Sequence, residues 1–156
     1  MRAMAGDCFA RLTLPGWALG RPDVDRVVRG PDSRVERREA LNDDTTILEG
    51  RPSGGEFEEI ETVLRHSGIA CDRFCEDTGD GSVDTCIREV FRPAGEQPGH
   101  EATMPVTRCD VPVLSLDVWD PLAGAPGGAV AWATVQRHLG LPADSVADWV
   151  AQHPLS

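Results

Sequence analysis

Five cysteines and four histidines are the residues of this 156-residue chain best suited to chemistry. Cys71, Cys75, Cys86 and Cys109, with His66 near them in sequence, are soft donors of the kind zinc takes. Their spacing points elsewhere. Zinc modules present ligands in close pairs, and neither a Cys-x-x-Cys nor a His-x-x-x-His pair occurs. Small, buried, apolar-like thiols are the expectation, with no metal and no cofactor, and a Cys-ligated zinc domain is the alternative. A cysteine nucleophile needs a histidine base within hydrogen-bond reach. His66 and Cys71 lie on either side of a helix end, so their spacing does not imply such a pair. Gly-x-Ser-x-Gly, P-loop and dinucleotide-binding glycine patterns are absent, and no catalytic residue is assigned. The segment from Glu76 to Ile87 has the Asp/Gly character of a calcium loop. It lacks the bidentate Glu at the twelfth position, which is Ile87.

Carboxylates are the stronger signal. Asp43, Asp44, Glu49, Glu56, Glu58, Glu59 and Glu61 stand within 19 residues, opposed by Arg51 alone. Such a row suits docking on a basic partner. In that reading the chain is a non-enzymatic binding protein. Its partner is a basic protein, in one version a nucleic-acid-binding enzyme of a restriction or CRISPR type whose substrate the carboxylates imitate. An immunity protein or a secretion chaperone would use the same charge. The competing expectation is a solubilising helix face.

The charge balance agrees. Net charge is −11, with eight Arg against six acids over residues 1–40 and five Arg against fifteen over residues 41–101. A phosphate backbone is repelled by most of such a surface, so no direct nucleic-acid binding is expected. All 15 basic residues are Arg, and Asn42 is the only Asn, which fits a GC-rich bacterial gene. Neither an export signal nor an apolar run of membrane-spanning length is legible, so a cytoplasmic protein with reduced thiols is expected.

The elements that must carry these residues read as one α+β domain, 1–156, with a small and mostly antiparallel sheet. Residues 8–14 alternate as a strand, ended by Pro15-Gly16, and a short helix follows over 23–29. Residues 32–40 read as a helical turn or a solvated connector, and residues 45–48 as a short β-branched run. Ser53 with Glu56 fits a capping box for a helix over 54–67 with Phe57, Ile60, Val63 and Leu64 on one stripe. Glu58, Glu59, Glu61 and Arg65 fall outside that stripe. Residues 69–75 and 83–92 suggest a hairpin through Asp80-Gly81. That turn would set Cys75 against Cys86, Arg73 against Arg88 and Asp72 against Glu89, the last two unfavourable. Residues 93–100 read as a loop, 103–107 and 111–118 as strands, and 129–139 and 142–152 as two short helices. The second of those carries acids and no Arg, which argues against a helix-turn-helix. Trp132, Val135, Leu139 and Trp149 are candidate core residues.

The helix ending Leu64-Arg65, then Gly68-Ile69, Asp72-Arg73 and Arg88-Glu89-Val90-Phe91-Arg92-Pro93, resembles a family of small uncharacterised proteins of bacterial plasmids and phages. The resemblance spans residues 55–118, departs at the Cys-containing stretch 75–86, and implies a mobile-element setting but no activity.

Overall fold

A computed structural model describes residues 6–42, 44–76, 86–94, 97–107, 109, 116–124, 128, 132–140 and 145–153. Six strands make one antiparallel sheet: β1 (Ala10–Pro15), β2 (Val35–Ala40), β3 (Thr45–Gly50), β4 (Cys71–Glu76), β5 (Cys86–Ala94) and β6 (Gln97–Val106). Their spatial order is β2-β3-β1-β4-β5-β6, so the first strand lies inside the sheet. Helices α1 (Pro22–Arg29), α2 (Glu58–His66), α3 (Leu116–Ala123), α4 (Trp132–Leu139) and α5 (Val146–Gln152) accompany it. The α+β class read from the sequence is the class observed.

Alternation in β1 decides the layering. Ala10, Leu12 and Leu14 are fully buried on one face, where Leu48 of β3 lies opposite Leu12. Val24 and Val28 of α1 and Ile60 and Leu64 of α2 join them in the main core. Arg21 and Asp23 tie the start of α1 to the end of α2, because Arg21 Nη2 donates to Ser67 Oγ at 3.2 Å. The paired Arg21 guanidinium holds the Asp23 carboxyl down at about 2. The other face carries a second cluster, Phe74, Cys86, Met104 and Val106. A further cluster packs Val146, Trp149 and Val150 of α5 against Ala70. Val135 of α4 is buried. The side chains of Trp132 and Leu139 lie outside the described residues.

Several local expectations change. Of residues 32–40, only 32–34 are a turn; from Val35 on, β2 forms as an edge strand whose residues after Val35 are all exposed. With neither face buried, it carries no alternation to read. The helix expected over 54–67 starts at Glu58, capped by Phe57. Gly54 and Gly55 have φ of 68° and 74°, a turn that no helix can include, so Ser53 and Glu56 form no capping box. A capping box does form at α5, between Ser145 and Asp148. Residues 93–94 and 97–100 are strand rather than loop, since Arg92 pairs with His100 and Ala94 with Gln97 across an irregularity at Pro93. The strand expected over 111–118 gives way from Leu116 to α3, whose Trp119 donates its ring N–H to the Gly128 carbonyl at 2.9 Å. The Asp80-Gly81 turn lies outside the described residues.

The β4–β5 register is shifted by one from the reading above. Arg73 faces Glu89, Asp72 faces Val90 and Cys75 faces Ile87. A one-residue slip moves every side chain to the other face. Here it replaces two like-charge pairs by an ion pair and a charge beside an apolar residue.

β2 enters the sheet through a bulge between Val35 and Arg37. Just before it, Arg34 has a left-handed backbone at φ 59°, the single such residue other than glycine among those described. That conformation costs an Arg about 1–2 kcal/mol. Its ion pair with Asp7, 3.7 Å long with both side chains more than half exposed, returns well under about 1 kcal/mol.

Cys8, Cys71, Cys75 and Cys86 are buried free thiols, and Cys109 is exposed. Titration of native protein with an aromatic disulfide reagent is expected to find one fast thiol, against all five after unfolding; two or more fast thiols would contradict the placement.

Candidate functional site

The acidic row does not stay together. Asp44 is exposed in the turn before β3, while Glu49 sits toward the other end of that strand, half-buried and 3.8 Å from Arg37. Asp43 lies outside the described residues. Glu56, Glu58 and Glu59 gather where the chain enters α2, and all three are exposed. They line an open hollow of about 300 Å³ with Asp32 and Arg34. Asp32 was not a candidate from sequence, because the turn after α1 that brings it there has no long-range signature. Glu58 and Glu59 have no ion pair among the described residues. In the first turn of α2 their charge also complements the helix dipole.

Glu61 is a correction. It was expected on the exposed acidic face, yet it is only 2% exposed. One turn into α2 it points at the sheet, where Arg73 Nη1 donates to its Oε1 at 2.5 Å. Arg73 Nη2 also donates to Glu89 of β5 at 2.8 Å. Arg65, one turn beyond Glu61, donates to Glu89 and, through Nε, to Glu101 of β6 at 2.6 Å. Its guanidinium lies 5.9 Å from the centre of the Phe91 ring. Two arginines and three glutamates thus bridge α2 to three neighbouring strands. Glu61 Oε2 is buried and accepts no hydrogen bond.

Burial of this cluster sets its protonation. Desolvation pushes the Glu61 carboxyl up, more than the nearby Arg73 and Arg65 charges pull it down. Burial would lower Arg73, but Glu61 and Glu89 outweigh it and raise it. These charges therefore belong to the fold and are not available to a partner.

The cysteines separate as well. Cys71 and Cys75 face the main core, Cys86 lies on the opposite face with Phe74, and Cys109 follows β6. They do not converge as a ligand set, and among the described residues no three His, Cys, Asp or Glu gather as a metal site would require. Burial lifts the Cys71 thiol to about 12, the reverse of what a thiolate nucleophile needs. The calcium-like segment is flanked by β4 and β5 instead of helices, and its centre lies outside the described residues. No helix among the described residues is long and apolar enough to cross a membrane.

No protein-family model, curated protein or solved structure matches this chain.

Removing one member of the buried cluster is expected to cost far more than removing the pair. Arg73→Met leaves Glu61 uncompensated and should destabilise by about 3–5 kcal/mol, whereas adding Glu61→Leu should recover most of that loss. Denaturant unfolding of the two variants and the wild type checks the order; equal losses would mean the cluster contributes no coupling.

The raised Glu61 carboxyl has a definite pH signature. Its folded pKa lies above the ordinary 4.5, so its contribution is fully present below that value and is lost as pH rises through the folded value. Relative to wild type, Glu61→Gln should therefore gain stability as pH increases from about 4.5 upward; a pH-independent difference would refute the assignment.

Proposed function

We propose that this is a non-enzymatic binding protein that docks the acidic entrance of α2 on a basic protein partner. The observation that carries the reading is the pair Glu58 and Glu59, exposed, without ion pairs among the described residues, and sharing a hollow with Asp32 and Glu56. Four carboxylates from two separate segments make a patch whose field a basic surface would meet favourably. The buried Glu61–Arg73 pair supports it from beneath, since it fixes α2 on the sheet and so fixes where those carboxylates stand. The specific form of the proposal is a cytoplasmic inhibitor of a nucleic-acid-binding enzyme, carried by a mobile element, in which the carboxylates occupy the place of phosphates. What supports that form is the overall charge of −11.

The test leaves Glu61 alone. Wild-type protein and the Glu58→Gln/Glu59→Gln variant are immobilised, and partners are captured from a GC-rich bacterial lysate at low salt. The variant should fold normally, because Gln is a comparable helix former at exposed positions. A basic protein is expected on the wild type alone, associating several-fold faster than with the variant and lost by moderate salt. Equal capture and equal association rates would leave these carboxylates as a solvated helix start.

A further inference from the structure

The strained Arg34 leads to a second hollow, on the side of the 32–34 turn away from α2. Its volume is about 710 Å³, within the range of small-molecule sites. Arg29 from the end of α1, Arg34 from the turn and Arg51 from just beyond β3 line it, with Val28 and Val35 as apolar lining. Two carboxylates, Asp7 and Glu36, line it too. Arg51 is exposed and has no ion pair among the described residues, and Arg29 uses only its Nε, toward Asp25 at 2.7 Å.

The backbone at Arg34 is held in place from the sheet. Val35 pairs with Gly50, and a Cβ on Gly50 would lie 1.9 Å from the Arg34 carbonyl oxygen. The chain thus accommodates a left-handed arginine by keeping β3 bare opposite it. Glycine would take that conformation freely. The exposed Asp7 contact, 3.7 Å from the guanidinium, does not offset the strain. Strain at one residue, sustained by its surroundings, is characteristic of binding sites.

We propose that this hollow binds the diphosphate group of a small molecule, held by Arg29, Arg34 and Arg51. Guanidinium forks match phosphate oxygens two at a time, and three of them from three segments surround one opening. The valines suit an uncharged remainder of the same ligand. A long polyanion does not fit, because the adjoining acidic hollow shares Ser33 and Arg34 with this one and would repel it. This inference stands apart from the docking role: it rests on the three arginines, not on the carboxylates, although Arg34 borders both hollows.

Calorimetric titration with inorganic pyrophosphate at low salt tests it, with adenosine diphosphate and a single-stranded oligonucleotide as further probes. One saturable site is expected for pyrophosphate, the nucleotide binding at least as tightly and the oligonucleotide failing to compete. Arg51→Gln and Arg34→Gly should each weaken binding about tenfold or more, the loss of one charge-assisted contact. Arg34→Gly should at the same time melt at or above the wild-type temperature. Absence of saturable binding overturns the proposal, as does undiminished binding by both variants. Competition by the oligonucleotide overturns the small-molecule assignment. A lower melting temperature for Arg34→Gly assigns that side chain to the fold and overturns its role here.

Discussion

Arg73 is the constraint around which the rest is arranged. It projects from β4, one of the two central strands, into the layer where α2 meets the sheet, and it is 5% exposed. An unpaired guanidinium there would be intolerable, so Glu61 from above and Glu89 from the neighbouring strand must both reach it. Those two requirements fix the rotation of α2 and the register of β4 against β5. Arg65 then falls over Phe91 and against Glu101, and β6 is drawn into the same arrangement. Apolar packing by Ile60 and Leu64 drives the helix onto the sheet; the ionic contacts decide how it sits.

The same constraint explains what was legible in the sequence. The alternation in β1, the apolar stripe of α2 and the α+β class follow from side-chain periodicity, which a single segment carries by itself. Glu61 was misplaced because a carboxylate beside a helical stripe reads as solvated unless its partner is known, and Arg73 lies 12 residues further on in another element. One clue was available: the hairpin register through Asp80-Gly81 opposed Arg73 to Arg88 and Asp72 to Glu89. Rejecting that clash in favour of a one-residue slip would have paired Arg73 with Glu89. β2 was missed for a different reason, since an exposed edge strand has no buried face to impose alternation, and Pro93 looked like a loop because a proline at a strand irregularity has no local mark. Of the candidate residues, Glu56, Glu58 and Glu59 stand together at the start of α2 as the sequence neighbourhood suggests, Asp44 and Glu49 stand elsewhere, and Asp32 and Arg34 come from a turn whose destination only the fold reveals.

Charge is partitioned on a short length scale. The 32–34 turn separates an acidic hollow from one lined by three arginines, and both include Ser33 and Arg34. Because the two hollows share residues, screening over about 10 Å in ordinary buffer does not separate their fields; direct contact with the guanidiniums is what distinguishes them to a small ligand, while a large partner senses their sum. The strongly negative total therefore governs which macromolecules approach, and the local arginines govern what small anions can do once there.

The two borders of the sheet carry one more consequence. β2 is charged at four of its six residues and interrupted by a bulge, and β6 contains Pro98 and Pro105, which have no amide hydrogen to donate. Neither border offers a continuous ladder to an incoming strand. Edge-to-edge polymerisation, the ordinary hazard of an open sheet, is thereby disfavoured on both sides.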